Sequence, residues 1–201
     1  MDKAVSFRSF EERDIDFVFQ CKNNEKLNSM IVGQFREYNY EDATDWVHGC
    51  MVDDPNFKFW AVCTNDNERR IVGWTAISQV DSINRSAFFY SIVIGDSKYR
   101  NGIPWIEIQQ FIISYVFETL GFNRLGYSCL SGHSSSMAIG PVMFFKQEGL
   151  KKQAILKNGK YYDIAEFALL RSEYFEHKDS GDYEFMSILS RYANYAKKEK
   201  K

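Results

Sequence analysis

Apolar residues in the first part of the chain follow two different periods. Residues 5–10 alternate apolar and polar side chains, which predicts a strand, whereas residues 15–21 and 40–51 place apolar side chains on one face of a helix. Residues 23–39 follow neither period, so we expect an irregular segment there. Three apolar segments come next and predict consecutive strands over residues 57–64, 71–80 and 86–94. The third of these has almost no polar residue, so we expect it to be buried on both faces.

The second part of the chain opens with a loop over residues 95–102. Pro104 suits the first turn of the helix that follows, because a missing N–H group costs no hydrogen bond there. Gly121 is a natural C-terminal stop for that helix. Residues 125–130 then predict a further strand.

A helix and a hairpin are predicted after that strand. The helix spans residues 134–149, and Gly140-Pro141 is expected to kink or divide it. Asn158-Gly159 lies between two strand-like segments, residues 153–156 and 161–170, and is a strong hairpin signal.

The order of elements is β-α-α-β-β-β-α-β-α-β-β. It predicts an α/β domain with a mixed central sheet flanked by helices and a helical tail at the C-terminus. Residues 177–181 resemble a linker, which suggests a domain over residues 1–176 and a linker with a tail over residues 177–201. The tail either packs on its own domain or makes a homodimer contact. Its apolar face consists of Phe185, Ile188, Leu189, Tyr192 and Ala196.

Composition and charge exclude several classes of protein. The 201 residues suit one domain, and the net charge of −2 favours neither nucleic acid nor a membrane surface as a partner. The N-terminus lacks a signal-peptide pattern and no apolar run is long enough to span a bilayer, so we expect a cytoplasmic protein. The four cysteines lack metal-ligand spacing, and no metal site is expected. Cys63 and Cys129 lie in apolar runs, which favours buried thiols.

Four stretches resemble one known family, the GNAT N-acetyltransferases, and within it the ribosomal-protein N-acetyltransferase branch. They correspond to the pyrophosphate loop, the helix-to-strand passage, the "Y-x-x-x-G-F" helix end and the closing hairpin of that family. In this chain they are Tyr99-Arg100-Asn101-Gly102-Ile103-Pro104, residues 117–125, residues 144–150, and residues 158–164 with 167–170. The resemblance covers residues 5–172 approximately.

The resemblance implies acetyl-CoA as a co-substrate. A glycine-bearing turn between a strand and a helix presents free N–H groups, which suits the pyrophosphate of coenzyme A; the alternative is a plain connection. The preceding strand would pair its backbone with the pantetheine arm. The residues expected to contact the cofactor are Ile92, Val93, Ile94, Arg100, Asn101, Gly102, Ile103, Pro104, Trp105 and Phe145.

This chain departs from the family pattern at two places. The loop pattern R/Q-x-x-G-x-G/A has Tyr99 at its first position and Pro104 at its last, which removes one N–H donor. Phe145 occupies the position where many relatives carry a tyrosine that protonates the departing thiolate. His133, at the end of a strand, is the expected substitute, with a surface role as the alternative. Tyr90 and Ser91 are also expected to line the catalytic site, although Tyr90 suits core packing equally well.

The predicted function is transfer of an acetyl group to a primary amine by direct attack in a ternary complex. The acceptor is a small amine, an amino sugar or a protein N-terminus. Glu37, Tyr38 and Trp46 are candidate acceptor contacts, with surface or packing roles as the alternative. The alternative function is a non-catalytic GNAT-like module that binds CoA or a protein partner.

Overall fold

The computed structural model describes residues 3–198, which contain seven strands and eight α-helices. The strands are β1 (Val5–Arg8), β2 (Phe57–Thr64), β3 (Ile71–Asp81), β4 (Ser86–Ile94), β5 (Arg124–Leu130), β6 (Lys146–Lys157) and β7 (Lys160–Leu170). The helices are α1 (Ile15–Lys22), α2 (Glu25–Asn28), α3 (Tyr40–Met51), α4 (Ile103–Ser114), α5 (Ser134–Met137), α6 (Ile139–Met143), α7 (Arg171–Asp179) and α8 (Phe185–Lys198). Helix α2 is a single turn inside the segment predicted to be irregular.

All seven strands belong to one mixed sheet with the order β1-β2-β3-β4-β5-β7-β6. Strands β4 and β5 pair in parallel, from Ser86 opposite Arg124 to Phe88 opposite Gly126. The pairs β1–β2, β2–β3, β5–β7 and β6–β7 are antiparallel. The predicted α/β class, a mixed sheet flanked by helices with a helical tail, is confirmed.

The chain divides into two compact units, and strand β4 contributes to both. The first unit comprises the residues up to Ser29 together with Phe35–Val80 and Phe89–Ile108. Its core lies between helices α1 and α3 and strands β2 and β3, where apolar side chains such as Val18, Val47 and Trp74 form one cluster. Burial of these side chains supplies the main stabilising free energy of this unit.

The second unit comprises Met30–Gln34, Asp81–Phe88 and the chain from Gln109 onward. Here helix α8 packs against helix α6, and Ile188 is fully buried. The Tyr183 hydroxyl donates to the carbonyl of Met143 at 2.8 Å, and Arg191 Nε donates to the carbonyl of Val142 at 3.0 Å. The tail therefore packs on its own chain, while a homodimer contact stays a prediction.

Local sequence signals are confirmed at three turns. Pro104 lies in the first turn of helix α4, and Gly121 adopts a left-handed conformation with φ 64° after the turn that ends this helical region. Asn158 and Gly159 have φ values of 50° and 74°, as a two-residue hairpin turn with both central residues left-handed requires.

The helix predicted over residues 134–149 is wrong in its extent. Helix α6 ends at Met143, because Phe144 adopts a left-handed conformation with φ 64° that a right-handed helix cannot continue. Strand β6 then starts at Lys146. The break between helices lies at Ala138, whereas Gly140-Pro141 is inside helix α6.

Two further predictions are corrected. Strand β4 is not buried on both faces: Tyr90 is 56% exposed and the residues after it are half-buried, because an apolar run does not specify that both faces of a strand are covered. Helix α7 extends to Asp179 and includes the first three residues of the predicted linker. The domain boundary at residues 176 and 177 stays a prediction.

All four cysteines are free and buried, as predicted for Cys63 and Cys129. Burial raises the pKa of the Cys63 and Cys129 thiols to about 11, so both are neutral at physiological pH. Among residues 3–198, no helix combines the length and the apolar character needed to cross a bilayer.

Candidate functional site

The loop over residues 95–102, called the α4 loop below, connects strand β4 to helix α4. At its start, the amides of Gly95 and Asp96 donate to the carbonyl of Val72 at 2.9 and 3.1 Å. The Asp96 carboxylate accepts the amide of Lys98 at 3.0 Å and pairs with Arg70 at 3.1 Å. These bonds fix the first half of the loop on strand β3.

The second half of the α4 loop presents amides toward the start of a helix. Gly102 has a φ of 91°, a conformation that glycine adopts without strain, and helix α4 begins at the next residue. Within residues 3–198, the amides of Asn101 and Gly102 donate to no acceptor, while the amide of Ile103 donates to Asn101 Oδ1 at 3.1 Å. Consecutive amides at a helix N-terminus are a favourable arrangement for an anionic group.

Three other predicted cofactor residues belong to this turn. Arg100 curls back over the loop, where Nε donates to the carbonyl of Ile94 at 2.8 Å and Nη2 to that of Gly95 at 2.7 Å. Pro104 and Trp105 are buried in the first turn of helix α4. The proline therefore costs this helix no hydrogen bond.

Strand β4 reaches the α4 loop through Ile92, Val93 and Ile94, which are half-buried. Strand β3 approaches this segment closely, since a Cβ atom on Gly73 would lie 2.1 Å from the carbonyl oxygen of Val93. Helix α1 contacts the start of the loop, since a Cβ atom on Gly95 would lie 2.3 Å from Cys21 Sγ.

The two predicted catalytic residues of strand β4 have different surroundings. Tyr90 is exposed, and its ring contacts the rings of Phe57 and Phe59 edge to face. The alternative prediction, that Tyr90 packs in the core, is therefore wrong. The carbonyl of Ser91 accepts the Thr75 hydroxyl at 2.9 Å. The Ser91 hydroxyl is buried and has no hydrogen-bond partner in the described part of the chain.

Two of the three predicted acceptor contacts surround one ammonium group. Lys22, at the end of helix α1, places Nζ 4.2 Å from the ring centroid of Trp46 and 5.3 Å from that of Tyr38. Asn23 fixes Tyr38 by both backbone groups, since Asn23 Oδ1 accepts the Tyr38 amide at 2.8 Å and Nδ2 donates to its carbonyl at 3.0 Å. Glu37 is exposed and adjoins this cluster only along the chain.

His133 lies in the second unit, directly before helix α5. Its two ring nitrogens contact serine hydroxyls, Nδ1 with Ser136 at 2.9 Å and Nε2 with Ser135 at 3.0 Å. Burial, and then the positive charge of Lys157, lower the pKa of His133. The neutral imidazole is therefore favoured and is able to accept a proton.

Phe145 also belongs to the second unit and is buried. Its ring packs edge to face on Tyr127 at 5.2 Å, and Tyr127 stacks on Phe167 at 4.7 Å. Burial raises the pKa of Tyr127, whose hydroxyl donates to the carbonyl of Ser136 at 3.3 Å. The predicted site residues thus form two groups, with His133 and Phe145 in the second unit and the others in the first.

Sequence reasoning missed the two cations beside Tyr38. Arg36 lies with its guanidinium carbon 4.2 Å from the Tyr38 ring centroid, on the same ring that Lys22 approaches. One signal in the sequence pointed to Lys22, since it directly follows the apolar residues of helix α1. Nothing local connects it to Trp46, because that contact spans two helices.

The profile of the acetyltransferase (GNAT) domain matches residues 5–140. The uncharacterized N-acetyltransferase YoaA of Bacillus subtilis is 23% identical over 168 residues, which cover 82% of this chain and 92% of that protein. The putative ribosomal N-acetyltransferase YdaF of the same organism is 25% identical over 104 residues, covering 52% of this chain and 56% of that protein.

Similarity to a spermidine N(1)-acetyltransferase of Vibrio cholerae is found in both sequence and structure. The sequence is 21% identical over 174 residues, covering 87% of this chain and 97% of that protein. A crystal structure of the Vibrio cholerae spermidine N-acetyltransferase in complex with CoA and spermine superposes with a TM-score of 0.74 at 19% identity, covering 86% of this chain and 98% of that one. Since the family profile matches more than half of the sequence and the fold agrees, this chain belongs to the acetyltransferase (GNAT) domain family and is an acyltransferase.

Proposed function

We propose that this protein transfers the acetyl group of acetyl-CoA to a primary amine by direct attack in a ternary complex. One observation carries the proposal: directly before helix α4, the amides of Asn101 and Gly102 donate to no acceptor among the described residues. Family membership makes acetyl-CoA the expected acyl donor.

The α4 loop fits a diphosphate for three reasons. The amides of Asn101 and Gly102 are adjacent, helix α4 is twelve residues long, and its N-terminal dipole favours negative charge. Arg100 adds a positive charge that is fixed on the loop by the carbonyls of Ile94 and Gly95. A side chain at position 102 would strain this turn, which explains the need for glycine.

Acetyl-CoA supplies an activated thioester, and the residues of this chain orient it. The backbone groups of Ile92, Val93 and Ile94 extend from the α4 loop along strand β4 and are proposed to pair with the pantetheine arm. Tyr90 and Ser91 precede them and are proposed to line the reacting end. In such a site, orientation and backbone donors supply most of the rate acceleration.

The attacking amine must lose a proton, and we assign its removal to His133. Its lowered pKa keeps the imidazole neutral near physiological pH. The hydroxyls of Ser135 and Ser136 contact the two ring nitrogens and provide a path for the proton. Phe145 cannot donate a proton, so protonation of the departing thiolate is left to water or to the protonated His133.

The acceptor is proposed to be a small amine, an amino sugar or a protein N-terminus. Relatives support an amine, since one is named a spermidine N(1)-acetyltransferase and its structure contains spermine. The partial similarity to YdaF supports placement in the ribosomal-protein branch. The cytoplasmic location, the homodimer and the lack of nucleic-acid or membrane partners stay predictions.

Calorimetry with CoA and turnover over a panel of amines test this function. We expect CoA to bind and Gly102→Ala to weaken the binding by about tenfold, because alanine is strained at this φ. Gly33→Ala is the matched control, since no atom lies within 4 Å of a Cβ atom built there. Absence of CoA binding contradicts the proposal, while binding without turnover of any amine favours the non-catalytic alternative.

A further inference from the structure

The ammonium group of Lys22 is enclosed by aromatic rings. Nζ lies 4.2 Å from the centroid of Trp46, 5.3 Å from that of Tyr38 and 5.7 Å from that of Trp74. Cation–π attraction of this kind stabilises a partly desolvated cation. Burial is the largest influence on Lys22 and lowers its pKa, whereas a hydrogen bond with Tyr38 favours the charged form.

A second cation lies on the same tyrosine. The guanidinium carbon of Arg36 is 4.2 Å from the Tyr38 ring centroid. The positive charge of Arg36 also lowers the pKa of Lys22. Arg36 Nη1 is 3.8 Å from Asp42 Oδ1, and 63% of the Arg36 side chain is exposed. A surface ion pair of this length contributes little free energy and leaves the guanidinium available to another anion.

The described part of the chain supplies no counter-ion to Lys22. Across residues 3–198, no carboxylate lies within 4.0 Å of Lys22 Nζ, although a desolvated charge is normally paired. Two acids of the same unit have other partners: Asp42 accepts the amide of Asn39 at 3.0 Å, and Asp16 accepts the Tyr40 hydroxyl at 2.8 Å. Lys22 and Arg36 are called the cationic pair below; the Asp42 carboxylate balances part of their positive charge, and an excess of positive charge remains.

The cationic pair adjoins the proposed acetyl-CoA site within the same unit. Cys21, the residue before Lys22, contacts Gly95 at the start of the α4 loop. Val93 of strand β4 packs against the apolar cluster that includes Cys21 and Trp74. Lys22 therefore adjoins the strand and the loop that are proposed to hold acetyl-CoA.

We propose that the cationic pair recognises an anionic group on the acceptor, so that the substrate is an amine that also carries a carboxylate or a phosphate group. This inference rests on the proposed function and specifies its substrate class. Charge-assisted hydrogen bonds to Lys22 and Arg36 would hold the anion, and the aromatic rings would contact the carbon chain of the acceptor. A polyamine is disfavoured, since its second ammonium group meets two like charges.

Four amines on the same four-carbon chain test the proposal: butylamine, γ-aminobutyrate, aminobutyl phosphate and putrescine. We expect kcat/KM for at least one anionic amine to exceed that for butylamine by about tenfold, with putrescine the poorest substrate. The two anionic amines distinguish a carboxylate ligand from a phosphate ligand. Equal or better use of putrescine overturns the proposal.

Matched variants identify the residues responsible. Lys22→Met and Arg36→Met are each expected to reduce the preference for the anionic amine over butylamine by about tenfold. Lys26→Met is the control, because it removes the same charge from an exposed residue of helix α2. An unchanged preference in Lys22→Met, with the variant folded by circular dichroism, contradicts the proposal.

A binding measurement separates this inference from the proposed function. Titration of the CoA-bound protein with γ-aminobutyrate or aminobutyl phosphate should change tryptophan fluorescence, because Trp46 and Trp74 contact Lys22. If this change depends on Lys22 while no amine is acetylated, recognition of an anionic amine by the cationic pair stands and the proposed function fails. If amines are acetylated without an anion preference, the inference fails and the function stands.

Discussion

The carboxylate of Glu107 accepts the backbone amide of Val5 at 2.9 Å. Both carboxylate oxygens also lie 3.0 Å from the amide of Ala4, and Glu107 is 9% exposed. Glu107 belongs to helix α4, so a single buried side chain fixes the start of strand β1 to the helix that follows the α4 loop. A carboxylate that accepts several amides replaces the hydration it lost on burial.

Replacement of Glu107 by glutamine is expected to destabilise the fold. The amide nitrogen of glutamine is a donor, so at least one backbone N–H of strand β1 loses its acceptor. We expect the free energy of unfolding to fall by about 1–3 kcal/mol in urea denaturation. Glu68→Gln, at an exposed loop residue, is the control. A stability equal to that of the control would show that these bonds contribute nothing.

Replacement by alanine is expected to change stability in opposite directions at two glycines. A Cβ atom on Gly95 would lie 2.3 Å from Cys21 Sγ and 2.6 Å from the Phe17 ring, so Gly95→Ala forces helix α1 away and costs about 1–3 kcal/mol. Gly49 lies in helix α3 with no atom within 4 Å of such a Cβ atom, and Gly49→Ala should stabilise by about 0.5–1 kcal/mol. Thermal unfolding of both variants measures the difference. Two changes of the same sign would refute the contact between helix α1 and the α4 loop.

Stability is expected to depend on pH through His133. Its pKa is lowered by burial in the folded state, so the unfolded chain binds a proton more readily. The contribution of His133 is present above its unfolded pKa of about 6.5 and is lost as the pH falls through the lower folded value. His133→Gln should therefore flatten the acid side of a plot of Tm against pH. His48→Gln, on the exposed face of helix α3, is the control; an identical profile in wild type and His133→Gln would contradict the burial of this imidazole.

The tail helix is expected to contribute to the stability of its own chain. Ile188 is fully buried, and Ile188→Ala should cost about 2–5 kcal/mol. Met186, on the same helix, is 63% exposed, and Met186→Ala should change stability by less than about 0.5 kcal/mol. Chemical denaturation measures both variants. Light scattering in the same buffers shows whether either substitution changes the oligomeric state, as a tail used for a homodimer would require.

Elements with a local signal were predicted accurately. Helix α3 and strands β2 and β4 have the predicted bounds, because their periodicity and flanking residues are encoded within the segment. Asn158-Gly159 specified its hairpin for the same reason. The helix after residue 134 was predicted too long, because no local signal marks the left-handed conformation of Phe144. The Phe144 ring stacks on the His177 ring with a centroid distance of 3.6 Å, a contact between residues far apart in the sequence.

Predictability of the candidate site was uneven in the same way. The α4 loop followed from Gly102 and Pro104, which determine backbone geometry locally. Tyr38 and Trp46 were identified as candidates, but the ammonium group between them was not. Contacts of Lys22 join helix α1, the segment before helix α3, and strand β3, and periodicity within one segment does not specify such contacts.

Asn23 holds Tyr38 by its amide and by its carbonyl, as a neighbouring strand would. The residues between Asn23 and Tyr38 are therefore not needed to hold the backbone of Tyr38 in place. Substitutions at exposed residues between them, such as Glu25 and Lys26, leave these two hydrogen bonds in place as long as Asn23 is kept. Such exposed positions are therefore suitable for redesigning which acceptors the enzyme admits.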